Sequence, residues 1–205
     1  MRHHKHLLST ILLLIVTGLP DVVFADSIYT FKPGALRWDD TSFVYGNNKL
    51  KLSDDFSDTG FGFDATYRIN NNLALGIELL YTDKRIVQNT NLLTSLPETT
   101  PGYINVYHTT LFAKYFIGDS EAFMPYLFLG LGGSRISIHS TPNVIMHGDT
   151  YMAGFGSYIP VGKIFGLNYT LLLEYKRGYF AADNEYGFKL KNREDFLHLG
   201  IGVIY

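Results

Sequence analysis

The chain has no cysteine. That removes disulfides, thiolate nucleophiles and cysteine metal ligands, so its compartment has to be read from other features. Charge is scarce too: Asp, Glu, Lys and Arg make up 18% of the 205 residues, against about 25% in an average globular chain. The formal net charge is −2, and a near-neutral chain offers no basic stripe for nucleic acid. No segment supplies the roughly 20 consecutive apolar residues of a membrane-crossing helix. What the chain has in quantity is aromatic rings, 15 Tyr and 15 Phe, together with 20 glycines.

The one extended apolar run, Leu7 to Leu19, is too short to span a bilayer as a helix. It follows Arg2, His3, His4, Lys5 and His6 and precedes Pro20 and Val23-Phe24-Ala25. This is the layout of a secretory signal peptide cleaved after Ala25. Clustered imidazoles also bind transition metals, but His3, His4 and His6 lie in a segment that such processing discards, so no metal site and no cofactor is expected. Residues 1–25 are read as signal peptide and residues 26–205 as one domain. Removing Arg2, Lys5 and Asp21 leaves that domain 15 basic and 18 acidic side chains.

The last residues alternate strictly and stop on an aromatic. Leu197, Leu199, Ile201, Val203 and Tyr205 fall on one face of a strand, and His198, Gly200, Gly202 and Ile204 on the other. In water an apolar terminal strand invites aggregation. In a bilayer, a closed barrel pairs it with the first strand and turns its apolar face to lipid. Alternation elsewhere marks eight strands in all. They are Ser27 to Trp38, Thr59 to Ile69, Leu73 to Ile86, Tyr103 to Ile117, Pro125 to Ile138, His147 to Ile159, Phe165 to Phe180 and Arg193 to Tyr205. In the first, Pro33-Gly34 suggests a bulge or a late start to pairing. Short connections at 70–72, 118–121 and 160–164 alternate with longer ones at about 39–57, 87–102, 139–146 and 181–192. This is the rhythm of an all-β, eight-stranded antiparallel up-and-down transmembrane β-barrel with its short turns and both termini on the periplasmic side.

Soluble lipocalins are also secreted eight-stranded barrels, so the two faces decide the class. One face carries Phe61, Phe63, Leu75, Ile77, Leu79, Leu127, Leu129, Leu131, Phe155, Leu171 and Leu173 and is almost free of charge. The other carries Gly60, Gly62, Thr66, Gly76, His108, Thr110, Gly130, Gly132, Ser134, Thr150, Gly154, Gly156, Thr170, His198, Gly200 and Gly202. A lipocalin would turn a polar face rich in Lys and Glu to water; one dense in glycine suits a crowded interior. The apolar face is therefore assigned to lipid. Tyr67, Tyr81, Tyr103, Tyr115, Tyr151, Tyr158, Tyr175, Tyr179 and Tyr205 lie near strand ends and are read as interfacial girdles.

On this reading Asp64, Arg68, Glu78, Lys114, Glu174 and Lys176 project inward, three acids and three bases. Buried charges must pair or find hydrogen bonds, so an ion-pair network filling the lumen is expected, with a narrow gated solute path as its functional alternative. Near the extracellular rim Ser137 and His139 share a strand face with Arg135, and His147 and Asp149 repeat the arrangement across the loop. A Ser–His pair oriented by a carboxylate is a hydrolase arrangement, but Ser, His and Asp are also ordinary turn residues, and no catalytic residue is assigned. Arg135 falls on the outer face, within reach of lipopolysaccharide phosphates, with a local register slip as the alternative reading of its position.

Pro125-Tyr126-Leu127-Phe128-Leu129-Gly130-Leu131-Gly132 resembles the fifth strand of small outer-membrane barrels. Gly60-Phe61-Gly62-Phe63 with Tyr67, followed by Asn72-Leu73-Ala74-Leu75 and Glu78, is similar to their second hairpin. The alternation ending on Tyr205 resembles the C-terminal assembly signal of outer-membrane proteins. Residues 26–205 thus resemble the superfamily of OmpA-like, OmpX/Ail, opacity-protein and OmpW barrels. The chain stops at strand eight, so the peptidoglycan-binding domain that follows the barrel in OmpA is not expected. The resemblance implies a place in the bacterial outer membrane and a non-enzymatic structural or surface-interaction role. A narrow channel for small or hydrophobic solutes, as in OmpW-like members, is the alternative, and a lipid- or peptide-hydrolysing barrel a third reading. Implied partners are outer-membrane lipids and lipopolysaccharide, the barrel-assembly machinery, and an extracellular ligand at loops 39–57 and 87–102, where Leu92, Leu93 and Leu96 are unusually apolar.

Overall fold

Alternation gives every strand one face for lipid and one for the interior, and closure pairs the first strand with the last so that no backbone edge meets hydrocarbon. The computed structural model describes residues 27–38, 42–45, 48–52, 58–91, 93–94, 97–98, 102–118, 123–139, 144–183 and 189–205. The expected signal peptide, 1–25, lies outside the described residues, as do Leu92 and Leu96; Leu93 is exposed.

Eleven strands are described: β1 (Ser27–Trp38), β2 (Ser42–Tyr45), β3 (Asn48–Leu52), β4 (Asp58–Arg68), β5 (Leu73–Asn91), β6 (Pro97–Glu98), β7 (Tyr103–Phe116), β8 (Met124–Ile138), β9 (Val144–Ile164), β10 (Leu167–Asp183) and β11 (Lys189–Ile204). Eight of them, β1, β4, β5, β7, β8, β9, β10 and β11, form a closed antiparallel ring in which β11 pairs with β1. Following the register from Ser27 through Tyr67, Leu75, Ala113, Leu129, Ala153, Arg177 and Asp195 returns to Arg37, ten residues further along β1. That stagger tilts the strands and leaves an interior just wide enough for side chains.

Several strands run further than alternation predicts. β5 continues to Asn91, where the β2–β3 hairpin pairs with residues 86–91 and β6 with Asn89 and Thr90. Part of the expected loop 39–57 is therefore sheet. The expected turn at 160–164 is strand, and the chain reverses at Phe165 (φ 51°) and Gly166 (φ 84°), consecutive left-handed residues as in a type I′ turn. Pro160 stands beside a register shift opposite Tyr169 and Thr170, a position where a strand tolerates a residue without an N–H. Pro33 makes no bulge: Phe31 pairs with Ile201 and Gly34 with His198 in one continuous register. At the tight 70–72 turn Asn70 Oδ1 accepts from the amides of Asn72 and Leu73, both at 2.9 Å, a side chain standing in for a backbone turn acceptor.

The outward face over the strand centres is apolar and accessible, as at Leu129 (66%), Leu199 (64%), Phe155 (59%) and Phe63 (47%). The inward face buries Lys32, Asp64, Glu78, Lys114, Glu174 and Lys176. This is the reverse of a soluble barrel and fits immersion in lipid. Above a ring formed by Tyr81, Tyr107, Tyr151 and Tyr179 the polarity inverts. There Ile86, Ile104, Ile136, Ile138 and Met146 are buried inside, with Lys84 among them, while Arg85, Arg135, His147 and Asp149 are exposed outside. Where the surrounding medium is water, ordinary apolar burial resumes.

One tyrosine departs from the girdle reading. Tyr158 is fully buried in the lumen, because it shares strand parity with the inward Gly154 and Gly156. The belt assignment makes a direct prediction. Leu129→Arg, at mid-belt, is expected to cost about 2–4 kcal/mol, and Ile145→Arg, outward but above the tyrosine ring, no more than about 1. Denaturant titration of the barrel refolded into phospholipid vesicles measures both; equal costs would move the boundary.

Candidate functional site

Inside the belt, the strands deliver their charged residues to one cluster. Lys32, from β1, is its hub: Nζ donates to Asp64 Oδ2 at 2.8 Å and Glu174 Oε1 at 2.9 Å and pairs with Glu78. Lys176 bridges Glu78 and Glu174, the latter at 3.2 Å. Lys114 lies 3.3 Å from Asp64 and donates to Thr66 Oγ1 at 3.1 Å and to the Tyr158 hydroxyl at 2.6 Å. The Tyr126 hydroxyl donates to Glu174 Oε2 at 2.7 Å. Three lysines thus face three carboxylates, all fully buried. The lysine stems meet rings as well: Lys114 Nζ sits 4.7 Å from the Phe112 ring centre and Lys176 Nζ 4.8 Å from that of Phe128, a favourable use of the ring quadrupole.

Apolar layers close this cluster on both sides. Toward the periplasm lie Ile28, Phe116, Tyr126 and Tyr158, with Tyr126 and Tyr158 rings 5.2 Å apart. Toward the outside lie Leu80, Met152 and Phe196, and beyond them the isoleucine-rich interior above the tyrosine ring.

Asp64, Glu78, Lys114, Glu174 and Lys176 are all members. Arg68 is not: its Nη2 donates to Asn71 O at 2.9 Å, and its guanidinium lies over the Phe116 ring, at the mouth of the periplasmic turn. Lys32 takes the sixth place, and sequence reasoning missed it. The signal was present in β1, where Ile28, Thr30, Lys32, Gly34 and Leu36 alternate inward, but Pro33 and Gly34 made that strand look irregular.

A second polar group was also missed. His108 Nδ1 lies 3.1 Å from Ser134 Oγ and 3.2 Å from Thr150 Oγ1, and its Nε2 lies 3.2 Å from Glu194 Oε2. Ser134 and Thr150 hydroxyls also contact one another. The order Ser, His, carboxylate is that of a hydrolase relay, but these side chains are buried, with Phe180 and Phe196 packed edge-on to the imidazole. The Ser–His–Asp set at the rim is arranged differently. Arg135 and Ser137 of β8, His139 just past its end, and His147 and Asp149 of β9 lie on the outer wall, with Arg135 directly opposite His147 and Gly133 opposite Asp149. Among the described residues Ser137, His139, His147 and Asp149 share no hydrogen bond, and no cluster has a metal-binding composition.

Closure by β11, an apolar outer belt and a charged lumen decide the class. This chain has the fold of the small outer-membrane β-barrels. Solved structures agree. The barrel resembles Neisserial surface protein A (TM-score 0.60, 15% identity, 87% of this chain and 98% of that one). It also resembles OprG from Pseudomonas aeruginosa (TM-score 0.54, 17% identity, 88% and 95%). A third similar structure is Ail, the attachment invasion locus protein of Yersinia pestis (TM-score 0.50, 14% identity, 88% and 98%). No family model matches the sequence, and no curated protein does. At these identities the likeness is one of fold. The belt of the barrel, its girdles and its closed ring place it in the bacterial outer membrane.

Removing one partner from a buried charge group leaves the others uncompensated. Lys32→Met is therefore expected to destabilise the barrel by about 3–5 kcal/mol, and Arg68→Met, at the solvated turn, by less than about 1. Equilibrium unfolding in urea reads both, and a Lys32→Met cost as small as that of Arg68→Met would remove Lys32 from the hub.

Proposed function

We propose that the protein is a sealed outer-membrane scaffold that carries an extracellular recognition surface. The observation supporting this reading is the charge cluster held between two apolar layers. A solute crossing the lumen would have to part Tyr126 from Tyr158 at one end, pass six mutually paired charges, and then open the isoleucine layer at the other. Each of those steps breaks a packed contact or uncovers a buried charge. The lumen is thus a structural plug, and function lies on the outside.

The extracellular surface is correspondingly built up. β5 extends above the tyrosine ring to receive the β2–β3 hairpin and β6, so the first two long connections share one raised sheet. Loops held on a rigid scaffold are where recognition concentrates, and this sheet is the assigned ligand surface. Residues 1–25 act as a cleaved export signal, and the terminal Leu197, Leu199, Ile201, Val203 and Tyr205 face of β11 as the motif read by the barrel-assembly machinery. Lipopolysaccharide is the lipid that the outer wall meets above the belt. The buried Ser134–His108–Glu194 chain serves packing, since its serine faces the closed lumen.

Planar-bilayer recording tests the plug. The refolded protein is expected to be silent, and so is a Glu174→Ala/Lys176→Ala variant whose gel mobility in cold SDS shows a folded barrel. Reproducible unitary openings in the unmodified protein, altered by that variant, would replace the scaffold with a channel.

A further inference from the structure

The outer wall carries an open hollow of about 700 Å³ over β7, β8 and β9. Its lining includes Asn105, Tyr107, Gly133, Arg135, Ser137 and His147. Read upward from the periplasm, the outward residues of β8 are Leu127, Leu129, Leu131, Gly133, Arg135 and Ser137. Three leucines, each at least half exposed, lead to a gap, then a cation, then a hydroxyl. That order is the profile of a lipid from tail to headgroup.

Gly133 makes the gap. At Gly132, Gly148 and Gly154 a Cβ would collide with the backbone of a neighbouring strand, so packing dictates glycine there. At Gly133 a Cβ would meet only Gly148 O, at an ordinary 3.6 Å. Barrel packing thus leaves room for a side chain at Gly133, at the level where the girdle gives way to polar residues. The charges above it are equally unusual. Arg177, on β10, is held by Asp195 in a two-pronged pair at 2.7 and 2.9 Å. Arg135 has no carboxylate partner among the described residues. Directly opposite it stands His147, so a guanidinium and an imidazole N–H lie side by side on this face, both able to donate to one anion. Asn105 faces Ser137 one pleat higher and adds neutral hydrogen-bonding groups. Asp149, opposite Gly133, is the one acid on the outer faces of these three strands and suits a sugar hydroxyl below the anion.

We infer that this hollow is a docking site for the phosphate of a phosphorylated, multiply acylated glycolipid of the outer leaflet, with Arg135 and His147 on the phosphate, the headgroup sugar over Gly133, and an acyl chain along Leu131, Leu129 and Leu127. The inference rests on the outer-wall lipid contact proposed above and gives that contact a site; it does not depend on whether the lumen is plugged.

Native mass spectrometry of the intact barrel in phosphatidylcholine nanodiscs tests it, with diphosphoryl lipid A and its enzymatically dephosphorylated form as competing probes. The protein is expected to retain the phosphorylated lipid about tenfold more strongly. Arg135→Ala and Gly133→Leu, which fills the gap, are each expected to lose that preference by about tenfold, and Arg193→Ala on β11 to keep it. Cold-SDS mobility shows that each variant is folded. Equal retention of the two lipids would overturn the site, as would a preference that survives both Arg135→Ala and Gly133→Leu. Loss of the preference in Arg193→Ala would reduce it to diffuse surface charge. Displacement of the lipid by millimolar inorganic phosphate would assign the site to the free anion, and release of an acyl chain would make it a hydrolytic rather than a docking site. Bilayer recording remains silent in all of these cases if the scaffold reading holds, so the two readings fail separately.

Discussion

Three ammonium groups and three carboxylates share a space from which water is largely excluded by side chains. Each charge there carries a desolvation cost of several kcal/mol, and that cost is offset only when every lysine reaches carboxylates and every carboxylate reaches donors. Lys32 touches all three acids, so β1, β4, β5 and β10 are tied to one ammonium group. The ring closes with the ten-residue stagger that sets these side chains at a common height. The glycines follow from the same crowding. Gly76, Gly154 and Gly156 face this layer, and side chains there would strike the neighbouring strand's carbonyls or a lumen ring.

A second constraint is the medium outside. Over the belt, lipid rewards an apolar exterior and forces polarity inward; above the tyrosine ring, water reverses the sign, and the same strands bury Ile86, Ile104 and Ile136 instead. Among the described residues the barrel therefore carries a largely apolar layer that belongs to its own wall, with Lys84 buried within it. The raised sheet of β2, β3, β5 and β6 extends from that portion.

Much of this was legible in the residue pattern. Strict alternation in β4, β8, β10 and β11 fixes which side chains face lipid, and the glycine density of the opposite face separates a membrane barrel from a lipocalin. Where the pattern misleads, local turn chemistry competes with parity. Pro33-Gly34 obscures the inward parity of Lys32, and Pro160 to Ile164 has the composition of a turn but is strand beside a register shift. Arg68 has the right parity for the lumen but sits one pleat too near the periplasmic turn, and Tyr158 was placed by its nearness to a strand end, although its parity points inward. The Ser134–His108–Glu194 chain joins β7, β8 and β11, and no sequence pattern shows that stagger brings those three positions to one level. The hollow over Gly133 was equally invisible, since it depends on which glycines packing requires.

The central claim is that Lys32, Lys114 and Lys176 are dry and paired. Magic-angle-spinning NMR on the lipid-embedded protein, recording transfer from water protons to lysine 15Nζ, tests it most directly, with the exposed Lys163 on the periplasmic hairpin as an internal reference. The account predicts strong water transfer to Lys163 and little or none to Lys32, Lys114 and Lys176, whose ammonium signals should instead correlate with the carboxyl carbons of Asp64, Glu78 and Glu174. Water transfer to all four lysines at comparable rates would contradict it, and would mean that the lumen is an aqueous path.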